Sequence, residues 1–304
     1  TPKKVFISTT MSLPESVKLV EVGPRDGLQN IPVPIATDDK VRYIDLLTQC
    51  GFPEIEVTSF VSPTRIPQLA DAQDVSRSIN LDSNIMYTAL VPNLRGLQDA
   101  IHSNYSSIAV FTATSNTFSQ KNTQCTMDEA IQRFHKMKHV WEEHGLRIRG
   151  YISTVWHCPY EGSMPVNAVS EVIAKLLDLG IQEISLGDTI GKATTDEVRY
   201  TLESILKKWE PSYFALHMHD TFGMAAANIK AGMEFDITTF DSSTGGMGGC
   251  PYAEGATGNI ASEKVVALCE SLGIETGINK SKLDEASNLI QSIVAKESLT
   301  HAEN

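Results

Sequence analysis

Short apolar runs alternate with amphipathic stretches along most of this chain. The runs at residues 17–22, 54–58, 85–90, 107–112, 147–155, 183–186, 213–217 and 237–240 have the length and composition of buried β-strands. Apolar positions recur at helical spacing over 38–50, 68–79, 94–104, 127–144, 166–179, 195–209, 223–233 and 259–272, and a further helix is expected at 281–295. Thr37-Asp38 and Thr194-Thr195-Asp196 read as helix starts, while Gly51, Gly145, Gly180 and Gly273 fall just past helix ends. Eight strand-then-helix units predict an α/β protein, a (β/α)8 TIM barrel with an extra C-terminal helix. An open doubly wound sheet is the alternative. Against it, no Gly-x-Gly-x-x-Gly follows the first strand, and eight units is many for one open sheet. Residues 1–15 lack periodicity and read as an N-terminal tail. Residues 16–304 read as a single catalytic barrel domain that includes the last helix.

In this barrel, active sites lie at the C-terminal ends of the strands. The residues expected there are concentrated in polar and ionisable types. Gly23-Pro24-Arg25-Asp26-Gly27-Leu28-Gln29-Asn30 follows the first strand, and Glu56 and Thr58-Ser59 end the second. Gly187-Asp188-Thr189 follows the sixth, and His217, His219 and Asp220 end the seventh. After the eighth come Asp241-Ser242-Ser243 and a glycine-rich loop, 245–258.

Alternate residues of a strand point to one side. His217 and His219 can therefore aim two imidazoles at one point, although a His-x-His alone is also what a satisfied buried pair looks like. Joined by Asp26 and Asn259, they offer two nitrogens, a carboxylate and an amide oxygen. That set suits Mg²⁺, Mn²⁺ or Zn²⁺ at an open catalytic site. Asp26 taken alone also fits a turn-forming aspartate. Arg25 keeps its charge at any working pH. It can hold a developing oxyanion, or form an ion pair with Glu56 or Asp26. Asp188 fits a base, a group that orients one, or a helix N-cap. Cys250 sits in the glycine loop, where a thiol can donate or relay a proton over a bound ligand.

Composition narrows the classes. The chain of 304 residues carries a formal net charge of −12 and a pI of about 5.1, without the basic stripe of a nucleic-acid-binding protein. No run approaches the roughly 20 apolar residues of a membrane span. Five cysteines, none in a Cys-x-x-Cys pair, read as free thiols in a reducing compartment. The four other than Cys250 read as small core residues. A cytoplasmic location is expected, with the mitochondrial matrix after presequence removal as the alternative.

Four motifs together resemble the 3-hydroxy-3-methylglutaryl-CoA lyase family of metal-dependent lyase and synthase barrels. They are the Gly23–Asn30 segment, Leu186-Gly187-Asp188-Thr189-Ile190-Gly191, His217-x-His219-Asp220-Thr221, and Gly248-Gly249-Cys250-Pro251-Tyr252-Ala253 running on to Asn259. The resemblance implies divalent-metal-dependent cleavage of an acyl-CoA substrate to acetoacetate and acetyl-CoA. It implies Mg²⁺ or Mn²⁺ on Asp26, His217, His219 and Asn259, with Arg25 stabilising an enolate. Asp188 would act in acid–base chemistry with His217 assisting, and Cys250 in proton transfer. Glu56 and Glu263 would support the site, and Gln29, Gly248 and Gly249 would contact substrate together with Arg25. A homo-oligomer, a dimer by analogy, is also implied. The chain departs from the family at Ile31-Pro32, at His157 and at Ser243–Met247. Two other readings are a lyase for a larger 3-substituted glutaryl-CoA and a catalytically silent barrel that only binds; the second would need a broken ligand set.

Overall fold

The computed structural model describes residues 13–248 and 258–302. Eight parallel strands close into a barrel: β1 Lys18–Glu21, β2 Glu54–Ser59, β3 Met86–Leu90, β4 Ser107–Ala113, β5 Arg147–Ser153, β6 Glu183–Asp188, β7 Phe214–Met218 and β8 Thr239–Ser242. Closure is made where β1 pairs with β8, Leu19 beside Phe240. Around it lie α1 Thr37–Leu47, α2 Ala72–Ser78, α3 Leu94–His102, α4 Asn116–Thr123, α5 Met127–Glu143, α6 Val166–Asp178, α7 Thr195–Ile205, α8 Ala225–Met233 and α9 Ser262–Leu272. The long α10, Lys280–Ala302, packs against α1. The apolar core fills the space between strands and helices, where Leu19, Ile55, Ile108, Ile184 and Leu216 meet Ile44, Leu97, Ile173 and Leu202. Among the described residues no helix is long and apolar enough to cross a membrane.

Most element positions follow the periodicity, and all four helix-ending glycines take positive φ. Four details differ. Helix α4 was not expected, because its sequence NTFSQKNT has no apolar stripe; it is started by Ser115, whose hydroxyl accepts the Phe118 N–H at 3.0 Å. The fifth strand stops at Ser153 because Thr154 turns to φ 56°. A small hairpin, His157–Cys158 against Gly162–Ser163, follows it. Helix α9 starts at Ser262, not at 259: Asn259 is extended and bridges His219, with Ile260 N–H donating to Met218 O at 3.1 Å.

The barrel interior is charged. Lys18, Glu54, Arg147 and Glu183 form one layer of ion pairs at the N-terminal end, including Lys18–Glu54 at 2.6 Å and Arg147–Glu54 at 2.9 Å. Above it, fully buried Arg149 donates to Glu183 at 2.6 Å, to the Tyr151 hydroxyl at 2.6 Å and to Asp241 at 2.5 Å. Buried ions survive only when paired and fully hydrogen-bonded, and removing one partner strands the other. Arg149→Met fills similar space but removes the guanidinium from Asp241, which keeps Ser185 and His217, and from Glu183, which keeps Arg147. It should lower unfolding free energy by about 3–5 kcal/mol, read as a lower urea midpoint at unchanged slope. A loss below about 1 kcal/mol would show that the interior charges are not coupled as described.

Candidate active site

The polypeptide leaves β1 in a wide turn, Gly23–Gly27, in which Asp26 and Gly27 N–H groups both donate to Val22 O. Two glycines permit it. A Cβ on Gly23 would lie 2.5 Å from Glu21 Oε1, and one on Gly27 would lie 2.8 Å from Ser243 Oγ. The turn is therefore pressed against the start of the glycine loop, with Arg25 and Asp26 side by side at the rim. The Arg25 guanidinium donates to Glu56 and to Asp26 and stacks 5.3 Å from the Tyr151 ring centre. Both ion pairs considered from the sequence are present. Burial alone would lower the Arg25 pKa, but Glu56 and Asp26 outweigh it and hold the charge firmly in place.

His217 is the last but one residue of β7 and His219 stands one residue past the strand, so the two share a side, with ring centroids 5.4 Å apart. One ligand atom from each of Asp26, His217 and His219 lies within 4.8 Å of the others. Asn259 completes the group, its amide donating to Asp26 Oδ2 at 2.8 Å. Burial alone would raise the Asp26 carboxyl, but Arg25, the two imidazoles and Asn259 hold it down at about 2. Burial and then His217 push His219 down to about 4, so its imidazole is neutral at pH 7. His217 is pulled down by burial, yet its hydrogen bond to Asp241 and the Asp26 carboxylate shift it upward overall. Its Nδ1 lies 3.1 Å from Asp241 Oδ2, leaving Nε2 toward Asp26. That is the outer-shell carboxylate that commonly orients a metal-binding histidine.

A divalent cation fits this group. An anionic carboxylate and two imidazoles converge, with the Asn259 amide hydrogen-bonded to that carboxylate, and His219 Nδ1 is buried without a hydrogen-bond partner among the described residues. An orphaned buried nitrogen is costly unless something else occupies its lone pair.

The other expected residues are distributed around this centre. Asp188 ends β6, nearly fully buried, and its two oxygens accept the Lys192 and Ala193 N–H groups at 3.1 and 3.0 Å. It thus braces the turn before α7, whose N-cap is Thr194. Burial pushes its carboxyl up to about 6, against those two hydrogen bonds. Glu263 in α9 accepts the Gly245 N–H at 3.0 Å and so holds the root of the glycine loop. Gln29 is half-buried just past the Gly23–Gly27 turn. Gly248 has φ 132°, and a Cβ there would lie 3.2 Å from the Asn259 amide. Gly249 and Cys250 lie outside the described residues.

Sequence reasoning missed the groups behind the site. Tyr151 donates its hydroxyl to Glu56 and receives from Arg149, and Arg149 holds Asp241 against His217. A continuous chain thus runs from Arg25 through Glu56, Tyr151, Arg149 and Asp241 to His217. Tyr151 and Arg149 escape the strand-end rule because they lie inside a strand, and Asp241, placed after the eighth strand, has no role in that reading.

A family model described as HMGL-like matches residues 16–290. The cytoplasmic 3-hydroxy-3-methylglutaryl-CoA lyase of Rattus norvegicus is 44% identical over 289 residues, which cover 95% of this chain and 84% of that protein. The 3-hydroxy-3-isohexenylglutaryl-CoA/hydroxy-methylglutaryl-CoA lyase of Pseudomonas aeruginosa is 44% identical, covering 94% of this chain and 95% of its own. A solved HMG-CoA lyase from Acinetobacter baumannii, in complex with coenzyme A and 3-methylmalate, is 34% identical with a TM-score of 0.88, covering 92% of each chain. Relatives of similar identity carry both cytoplasmic and mitochondrial names.

Proposed function

The chain belongs to the HMGL-like family, and we propose that it cleaves 3-hydroxy-3-methylglutaryl-CoA to acetoacetate and acetyl-CoA as a divalent-metal-dependent carbon–carbon lyase. The observation that carries this is the meeting of Asp26, His217 and His219 within 4.8 Å, with Arg25 paired to Asp26 beside them. On this reading residues 16–304 act as one catalytic unit and the protein works in the cytoplasm, which the name of one relative supports, with the mitochondrial matrix, supported by the name of another, as the alternative.

Mg²⁺ or Mn²⁺, held by Asp26, His217, His219 and Asn259, would supply Lewis acidity toward the substrate's C3 hydroxyl and distal carboxylate. The remaining work falls to side chains. Asp188 takes the hydroxyl proton, and His217, its Nδ1 engaged by Asp241, assists as a fixed ligand rather than as a second base. The C2–C3 bond breaks, its electron pair passes to the acetyl-CoA fragment, and C3 becomes the ketone of acetoacetate. Arg25 holds the enolate oxygen of that fragment, a buried fixed charge of the kind that stabilises such anions. Cys250 returns a proton to C2. Glu56 and Glu263 hold Arg25 and the loop root; Gln29 and Gly248, and by resemblance to the family Gly249, contact the substrate.

A base must be ionised to act. With Asp188 pushed up to about 6, kcat/KM should fall as pH drops through that value. Asp188→Asn should lower kcat by about 10²–10⁴-fold, the range of one acid–base group, and remove this acid limb. An unchanged limb in the variant would reassign the base.

The Pseudomonas relative's name includes an isohexenyl substrate, which keeps a larger 3-substituent in view. A panel of 3-hydroxyglutaryl-CoA esters bearing methyl, butyl or isohexenyl at C3, followed by acetyl-CoA release, separates the readings. The proposal expects the highest kcat/KM with methyl; preference for isohexenyl would assign the larger substrate.

A further inference from the structure

Glu21, at the end of β1, is a buried carboxylate on the strand face opposite Lys18, directed away from the barrel interior. It accepts hydrogen bonds from three separate parts of the chain. Gly23 N–H donates at 2.8 Å, from the turn that carries Arg25 and Asp26. Thr244 donates from its N–H at 3.0 Å and from its hydroxyl at 2.5 Å, at the root of the glycine loop. The Ser262 hydroxyl donates at 2.8 Å, three residues past Asn259. No lysine or arginine among the described residues pairs with it, and burial pushes its carboxyl up to about 7.

A buried carboxylate without a cation is costly. An amide would not replace it, since Gln offers one acceptor oxygen and two donors where the Gly23 and Thr244 N–H groups can only donate. We propose that Glu21 is a positioning residue that fixes the Arg25–Asp26 turn, the Thr244 loop root and the Asn259 segment relative to one another, setting the Asp26–Asn259 pair for metal binding. Asp26 and Asn259 come from opposite ends of the chain and meet at 2.8 Å. Among the described residues, Glu21 is the side chain bonded to the Gly23–Gly27 turn, the Thr244 loop root and the segment after Asn259 together. Supporting groups of this kind hold ligands to the few tenths of an ångström that affinity requires.

The role rests on the proposed metal centre, and its test separates the two. Mn²⁺ binding to metal-free protein is measured by the loss of free-ion EPR signal, with far-UV circular dichroism and the thermal midpoint recorded alongside. Glu21→Gln should weaken Mn²⁺ binding by about 10–100-fold, the usual effect of losing an outer-shell partner. Thr244→Val and Ser262→Ala, each removing one hydroxyl donor, should weaken it less, in the same direction. A purely structural role would lower the thermal midpoint while leaving Mn²⁺ affinity of the folded protein unchanged, and that result overturns the proposal. Should Glu21→Gln not fold, the two single-donor variants decide: wild-type affinity in both overturns it. Absence of Mn²⁺ binding by the unmodified protein would refute the metal centre itself, and this role with it.

Discussion

Arg25→Gln should leave the barrel folded and lower kcat by about 10²–10³-fold or more, the loss seen when one oxyanion-stabilising donor is removed. Gln can still donate a hydrogen bond but carries no charge, and the charge is what answers an enolate. The effect should fall on kcat and kcat/KM together, because the interaction exists only once negative charge develops. The fold should survive because Glu56 has another outlet. Burial already shifts its carboxyl upward, with Arg25 and the Tyr151 hydroxyl opposing that shift. Without Arg25 it can take up a proton rather than remain a stranded anion. Steady-state acetyl-CoA release, with circular dichroism on the same sample, checks both halves. A kcat within about threefold of wild type would remove Arg25 from the chemistry.

How far the site could be read in advance depended on where each residue sits along its strand. Residues at strand ends were legible, because the barrel rule turns end positions into spatial neighbours. Asp26, His217 and His219 were grouped on that ground, and in the structure they stand together. Asn259 joins that group, but the amphipathic pattern of α9 runs smoothly back through it and predicts helix there; its segment is held extended by the bridges His219–Asn259 and Ser243–Ala261 and by the Ile260 N–H bond to Met218 O. The charged interior was not anticipated, although a signal was present. Glu54 and Glu56, Arg147, Arg149 and Tyr151, and Glu183 and Ser185 each recur at every second position within runs otherwise apolar. In a strand covered on both faces, such alternation puts the charges on one side, and the helix-facing side was already apolar. Glu21 gave less warning, since its partners at Thr244 and Ser262 are more than 200 residues away. Cofactor chemistry needed convergence in space, which spacing alone could only suggest.

The second large effect is metal removal. Asp26 held at about 2 and His219 at about 4 present an anion and a neutral imidazole at pH 7, ready to coordinate without first shedding a proton. Without a cation, the proposed mechanism leaves the C3 hydroxyl with no group to polarise it, since Arg25 serves the enolate oxygen, and a tertiary alcohol is a poor acid. Activity should therefore fall to background in metal-stripped protein while the fold persists, since the Asp26–Asn259 and His217–Asp241 contacts do not require the ion.

The most direct measurement is turnover of 3-hydroxy-3-methylglutaryl-CoA by metal-stripped protein as Mg²⁺ is added back, with acetoacetate and acetyl-CoA quantified together. Equal amounts of both products, appearing only with the cation and rising to saturation, are predicted. Full activity in excess EDTA, or no acetoacetate at any Mg²⁺ concentration, would contradict a cation-centred carbon–carbon cleavage at Asp26, His217, His219 and Asn259.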